Sequence, residues 1–344
     1  MLRESEFYCP ECDDGFETRA SRRDFMVAMG TSAAALAVNA SVPQLVSAQA
    51  PAVRRAATPA EGLVRELYQS MSEEQRRNLV YPWNHMVGGR PARLGTYNAA
   101  IFNKRLGQNY TPAQRDLVRR TLRAVLSSED ALTRISRNNG WDGSGSFEGT
   151  GCVIFGEPAD NSRFAWVFTG HHLTLRCDGN SEPGAAFGGP MYYGHSAYGH
   201  SARNVYYYQT REVQSIYDAL TDQQRRVAVA PGNPGDREAG IRFRPAGQPP
   251  PGIAYADLSR DQKSLVESVM RTLLAPFRQQ DGDEVMQLIR GNGGMERIHL
   301  AFYRDGAAQD GDLWSYWRLE GPGFIWNYRI LPHVHCYVNI VARS

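Results

Sequence analysis

The sequence has little lysine and almost no net charge. Of the 38 basic residues among 344, only Lys104 and Lys263 are lysines. A coding bias toward arginine explains this, and guanidinium recognition of phosphates or carboxylates is the alternative. The 36 acidic residues leave a formal charge of +2. This balance excludes the strongly basic class of nucleic-acid-binding proteins, so we expect no nucleic-acid partner.

Cysteine is also scarce, with five in the chain. Cys9 and Cys12 form a single C-x-x-C pair, which is a weak metal or redox signal without a second pair. The other three, Cys152, Cys177 and Cys336, are an odd number, so at most one disulfide can form among them. A disulfide-stapled scaffold is therefore excluded, and buried thiols are the default in the strand-like runs around Cys177 and Cys336.

Several catalytic signatures are missing. The sequence has no G-x-S-x-G, H-E-x-x-H or P-loop motif, and the glycines at 143–149 have the wrong spacing for G-x-G-x-x-G. The sequence therefore does not favour the best-known classes of serine hydrolase, zinc protease or nucleotide-binding enzyme. The chain also lacks an apolar run long enough to span a bilayer, so we expect no membrane span in the mature protein.

An arginine pair near the N-terminus predicts export. Arg22 and Arg23 precede a weakly apolar stretch at 25–38, and Val46-Ser47-Ala48 supplies a small-residue cleavage pattern. This order is typical of a twin-arginine signal peptide over residues 1–48. The expected partner is the twin-arginine translocation machinery, and the expected location is periplasmic or secreted.

Cleavage would leave a mature chain of about 296 residues. An Ala/Pro-rich linker is predicted at 49–60, followed by one domain over 61–344. The twin-arginine route resembles one that carries folded proteins, often with cofactors installed in the cytoplasm. The signal therefore favours a bound cofactor without identifying it.

One local pattern recurs four times: a Ser or Thr, two residues, then Gln and a basic residue. Each copy is a capping box, in which the hydroxyl and the glutamine satisfy backbone amides at the start of a helix. The pattern predicts four helix starts and no catalytic role. The four cap residues are Ser72, Thr111, Thr221 and Ser259.

Between the second and third helix starts, the hydrophobic period changes to two. Residues 164–168 predict a strand that continues through Gly170, His171 and His172 into 173–175. The last 50 residues predict strands at 297–303, 313–320, 324–329 and 333–342. Helices segregated from strands in this way indicate an α+β fold, with helices packed to one side of a largely antiparallel sheet.

The final strand separates into two faces. Apolar and polar residues alternate along it, which places His333 and His335 together on the polar face. Histidines two apart on a strand can bind a single metal ion through neutral imidazole. The alternative is that they are ordinary polar residues on a solvated strand face.

A second histidine cluster is formed by His171 and His172. Adjacent residues on a strand point to opposite faces, so a regular strand would let only one of them join His333 and His335. Gly170 permits a bulge that would re-aim one ring. The alternation favours His172 slightly as the ligand, and a buried ring bonded to backbone is the alternative for the other.

A Gly/Tyr/His-rich loop is predicted at 187–205, with a tandem Tyr-Gly-His-Ser-Ala repeat at 193–197 and 198–202. Its aromatic residues suit a mobile lid over a small molecule, although a slipped duplication explains the repeat as well. Glu320 is the best-placed carboxylate of the C-terminal strands and is the candidate catalytic base. The candidate substrate-binding residues are Tyr193, His195, Tyr198 and His200.

At Ile154-Phe155-Gly156-Glu157-Pro158, Gly170-His171-His172-Leu173 and the closing His333-Val334-His335, the chain resembles the family known as domain of unknown function 3500. The resemblance covers most of residues 60–342. It implies the fold and the histidine positions, and it implies no reaction. Where family members place an acidic residue before the H-x-H, this chain has Asn327, which argues against a carboxylate ligand from that strand.

Together these features predict an exported metal-dependent enzyme acting on a small molecule. His333 and His335, with His172 or His171, would hold a divalent metal that activates water, and hydrolysis is the favoured reaction. Zinc is the favoured metal, with copper or iron as alternatives. A non-catalytic binding protein is the second hypothesis, and a structural exported domain is the third.

Replacing Arg22 and Arg23 together by lysine should block export, because the arginine pair is an address read by a receptor and lysine preserves only its charge. We expect the uncleaved precursor to accumulate in the cytoplasm, as measured by immunoblotting of cell fractions. Arg19→Lys, outside the pair, is the control. Normal processing of the double variant would contradict a twin-arginine signal.

Overall fold

One large sheet and a layer of helices make up the part of the chain that the structure, a computed structural model, describes. It describes residues 59–159, 162–235, 242–245, 247–304 and 314–343. The predicted signal peptide, Cys9 and Cys12 lie outside the described residues. So does most of the predicted linker, whose last two residues begin the first helix.

Nine α-helices occur among the described residues. They are α1 (Pro59–Gln69), α2 (Glu73–Leu79), α3 (Leu106–Asn109), α4 (Pro112–Val125), α5 (Glu129–Ile135), α6 (Tyr207–Ala219), α7 (Asp222–Ala228), α8 (Arg260–Leu274) and α9 (Gln279–Gly291). None of these helices combines the length and the apolar character needed to cross a membrane.

The strands form an eleven-stranded mixed sheet and a separate pair, β2 with β3. They are β1 (Val80–Tyr81), β2 (Met86–Val87), β3 (Arg90–Pro91), β4 (Gly151–Gly156), β5 (Phe164–Gly170), β6 (Leu173–Cys177), β7 (Met191–His195), β8 (Val229–Ala230), β9 (Ile253–Ala254), β10 (His299–Tyr303), β11 (Tyr316–Gly321), β12 (Phe324–Arg329) and β13 (Val334–Ile340).

The sheet has the same arrangement when followed from either edge. Its order is β1-β4-β5-β6-β7-β13-β12-β11-β10-β8, with β9 also paired to β10. In the first half, β1 follows α1 and α2 and pairs in parallel with β4, the first strand of the antiparallel meander β4-β5-β6-β7. In the second half, β8 follows α6 and α7 and pairs in parallel with β10, the first strand of the antiparallel meander β10-β11-β12-β13. The two meanders meet where β7 pairs with β13. The topology is therefore an internal repeat with an approximate two-fold relation between β7 and β13.

The four predicted capping boxes are confirmed, and their glutamines meet in pairs. Gln224 and Gln262 exchange two side-chain hydrogen bonds of 2.9 and 2.7 Å. Gln75 and Gln114 make the same pair in the first half, at 2.8 and 3.0 Å. The motif thus links two helix starts within each half. The four cap hydroxyls belong to Ser72, Thr111, Thr221 and Ser259.

The helices cover one face of the sheet, as predicted for the α+β class. Buried residues from every helix join one core with a single face of the sheet. Val334 and Cys336 of β13 lie in this core, which confirms the predicted apolar face of the last strand. Cys152, Cys177 and Cys336 are free and buried.

Two of the predicted elements were wrong. Residues 164–175 are not one strand, because β5 ends at Gly170 and β6 begins at Leu173, and these two residues pair across a hairpin. His171 and His172 are therefore the two turn residues, and the two-residue alternation of a strand does not apply to them. The predicted loop at 187–205 contains β7, which lies in the middle of the sheet.

Replacing Gln262 by alanine should lower the free energy of unfolding by about 1–3 kcal/mol. The change removes the bonds to Gln224, to the Ser259 amide and to the carbonyl of Ala219. Urea-induced unfolding measures the effect. Gln223→Ala, at an exposed position of α7 next to Gln224, is the matched control. Equal stability of the two variants would contradict a role for the glutamine pair.

Candidate metal centre

Three histidines from two distant segments converge on one position. Nε2 of His172 lies 3.1 Å from Nε2 of His333, and that nitrogen lies 2.9 Å from Nε2 of His335. The side chains are buried, with 0, 4 and 2% of His172, His333 and His335 exposed. Zinc–nitrogen bonds of about 2.0–2.1 Å would place tetrahedral ligand nitrogens roughly 3.3 Å apart. The three rings could therefore hold a metal ion with little movement.

The turn that presents His172 is stabilised by a buried arginine. The guanidinium of Arg137 donates to the carbonyls of His171, His172 and Gly194, at 3.1, 2.5 and 2.7 Å. The amide of His172 donates to Oδ1 of Asn98 at 2.8 Å. His172 has φ +51°, a left-handed conformation that costs a non-glycine residue energy. These hydrogen bonds hold the turn in that conformation.

β13 positions the other two histidines. His335 lies in the strand and pairs with Gly194 of β7, and His333 immediately precedes the strand. A Cβ atom at position 194 would lie 2.3 Å from the carbonyl oxygen of Val334 and 2.9 Å from Cδ2 of His335. Glycine at 194 is therefore required for the close approach of the two strands. The predicted pairing of His333 and His335 at one site is present.

Asp142 lies behind His172 and was not predicted from the sequence. Its carboxylate is buried, and Oδ2 makes a short hydrogen bond with Nδ1 of His172. With the carboxylate ionised, Nδ1 is the donor, so Nε2 keeps its lone pair for the point on which the three rings converge. Histidines that bind metals in proteins are commonly oriented by a carboxylate in this way.

Polar contacts keep Asp142 ionised. Oγ of Ser196 donates to Oδ1 at 2.7 Å, and Nδ1 of His195 lies 3.4 Å from the same oxygen. Burial acts to raise the pKa of Asp142, but contacts with the imidazoles of His171, His172 and His195 outweigh burial and hold the pKa well below its ordinary value. The carboxylate is therefore charged at neutral pH.

The three converging histidines are neutral near neutral pH. Burial, reinforced by the charge of Arg329, lowers the pKa of His333 to about 3. Burial is also the largest cause of the lowered pKa of His172 and of His335. Asp142 acts in the opposite direction at His172 without outweighing burial. Neutral imidazole is the form that binds metal ions.

Arg329 is a second feature that the sequence did not reveal. It lies on β12, opposite His335. Its Nη2 lies 3.0 Å from Nε2 of His335 and 3.3 Å from Nε2 of His333. Because a guanidinium can only donate, both ring nitrogens act as acceptors in these contacts. Nη2 of Arg329 is thus a donor shared by two acceptors that lie 2.9 Å apart.

His171, predicted as a possible ligand, stands beside the three converging rings. Its Nδ1 lies 3.1 Å from the amide nitrogen of Gly143 and 3.2 Å from Oδ2 of Asp142. A Cβ atom at position 143 would lie 2.7 Å from that Nδ1, so the approach requires glycine. Asp142, His171 and His172 form a second group close enough to hold an ion.

The predicted substrate-binding residues are not brought together. Tyr193 is buried in the core on the helix side, where its hydroxyl donates to the carbonyl of Leu273 at 2.9 Å and lies 3.1 Å from Oε1 of Gln209. Tyr198 is 41% exposed, and His200 is half-buried on the turns after β7. His195 reaches the site through its contact with Asp142.

Glu320, the predicted catalytic carboxylate, lies away from the histidines. It sits on β11 and contacts Nε of Arg244 at 2.8 Å and Nε of Arg318 at 2.9 Å. The strand register separates it from His335 by two strands and by the step from Ile325 to Arg329. That corresponds to about 10 Å across the sheet and about 13 Å along it. Its observed interactions are ion pairs.

Comparison with known proteins identifies one match. A family model described as "Protein of unknown function (DUF3500)" matches residues 54–340. No curated protein and no solved structure matches the chain significantly. The family carries no reaction, so the chemistry rests on the geometry of the site.

Replacing Arg137 by methionine should lower the free energy of unfolding by about 3 kcal/mol or more, because several buried carbonyls would lose their donor. Besides the carbonyls of His171, His172 and Gly194, that of Ile135 accepts from Nη1. Urea-induced unfolding measures the loss. Arg203→Met, at an exposed position, is the control. A variant as stable as that control would contradict this role for Arg137.

Proposed function

We propose that this chain, which belongs to the DUF3500 family of proteins of unknown function, is a metal-dependent enzyme centred on His172, His333 and His335. The observation that carries the proposal is the convergence of three neutral Nε2 atoms with a carboxylate behind His172. Catalytic zinc sites commonly have three protein ligands, whereas structural sites have four. The arrangement matches the first pattern.

Hydrolysis of a small molecule is the reaction that we favour. Zinc suits a set of three imidazoles, with copper or iron as alternatives, and such an ion supplies a bound water with a pKa of about 7. Asp142 holds the tautomer and the orientation of His172. Arg137 holds the turn on which that ring sits.

Binding without turnover is the second candidate function. It is favoured by the burial of His172, His333 and His335, none of which is more than 4% exposed. A metal whose remaining coordination position is reached by no added ligand would favour this candidate over the enzyme.

We also propose that the protein acts in the periplasm or outside the cell, after export by the twin-arginine route. The support is Arg22-Arg23 with the apolar stretch and cleavage pattern that follow. His172 and His333 are 161 residues apart, so the complete centre exists only in the folded chain. Export of a folded chain would place metal selection in the cytoplasm.

Purified mature protein should contain about one equivalent of tightly bound metal, and His335→Ala and His172→Ala should lose most of it, because each removes one of three ligands. Metal content is measured by mass spectrometry, with folding checked by circular dichroism. His200→Ala, which removes a histidine outside the cluster, should retain the metal.

Asp142→Asn should keep all three ligands and lower metal affinity by about 10- to 100-fold, as measured by competition with a chelator.

Substoichiometric metal in the parent, or unchanged metal in both His335→Ala and His172→Ala, would overturn the proposed centre.

A further inference from the structure

Arg329 approaches the point on which the three imidazoles converge. Its Nη2 is 3.0 Å from Nε2 of His335 and 3.3 Å from Nε2 of His333, and 4% of the residue is exposed. A metal bound to these nitrogens at about 2.0–2.1 Å would lie within roughly 5 Å of the guanidinium. The N–H groups of Arg329 would therefore be close enough to contact a ligand that also binds the ion.

The sheet holds Arg329 in this place. Arg329 of β12 pairs with His335 of β13 on one side and with Tyr316 of β11 on the other. Directly paired residues of antiparallel strands project from the same face of the sheet. Arg329 and His335 are therefore neighbours through backbone pairing, and loop motion is not needed to bring them together.

The charges at the centre favour a negative ligand. A divalent ion and the guanidinium of Arg329 would repel each other, and Asp142 supplies one negative charge nearby. Positive charges held close together in a buried site repel each other, and an anion placed between them lowers that cost. A guanidinium offers parallel donors that match the oxygens of a carboxylate or phosphate. An oxyanion between the ion and Arg329 would offset both charges.

We infer that Arg329 binds an oxyanion at the metal centre, so that the ligand or substrate of this protein carries a carboxylate or a phosphate group. The inference rests on the proposed metal centre and names the class of molecule that the centre takes. Arg329 contacts the ligand directly and orients it against the ion, while His172, His333 and His335 hold the ion.

Cobalt(II)-loaded mature protein provides the test, because its visible absorption reports on the coordination sphere. Inorganic phosphate and acetate are titrated separately, which distinguishes the two oxyanion classes. We expect saturable binding of at least one probe by the parent. Arg329→Gln should bind that probe about 10- to 100-fold more weakly, with unchanged cobalt content. Arg329→Lys, which keeps the charge without the planar fork, should be intermediate.

Arg203→Gln, which removes an exposed guanidinium stacked on Tyr198, is the control and should bind like the parent. If Arg329→Gln does not fold, Arg329→Lys carries the comparison. A parent that binds cobalt but neither probe, or equal probe affinity in the folded Arg329 variants, would overturn the inference and leave the metal centre standing. A parent that binds no metal would overturn the proposed centre, and the inference with it.

Discussion

The hydrogen bond between the carboxylate of Asp142 and Nδ1 of His172 is the interaction on which the rest of the site depends. It joins the segment before β4 to the β5–β6 turn and directs the other nitrogen of the ring toward His333 and His335. An ionised, buried carboxylate is stable only among donors, and Ser196 supplies a further one. Loss of this carboxylate would therefore leave all three ligand histidines in the chain but would no longer fix the orientation of the His172 ring.

The internal repeat explains how one centre draws on both halves of the chain. Each half has a hairpin closed by two residues: His171-His172 between Gly170 and Leu173, and Pro322-Gly323 between Gly321 and Phe324. The second pair is ordinary turn chemistry, whereas His172 is held in a left-handed conformation by side chains around it. Because β7 and β13 meet at the centre of the sheet, the specialised turn of the first half lies beside the histidines of the second.

The sequence predicted part of this site and missed part of it for identifiable reasons. His333 and His335 follow the alternation of their strand, so their common face could be predicted. The same rule was wrong for His171 and His172, because a two-residue turn interrupts the period without leaving a proline or glycine at either turn position. Asp142 and Arg329 belong to no spacing motif, since their partners lie in other strands and turns.

The sequence by itself determined the elements that depend on neighbours in the chain: the four capped helix starts, the C-terminal strands, the buried cysteines and the α+β class. Only the tertiary structure decided which groups meet at the site. His172 contacts Asp142 across 30 residues and His333 across 161 residues. Hydrogen bonds and strand pairing over such separations form when the whole sheet assembles, and periodicity within a few residues carries no information about them.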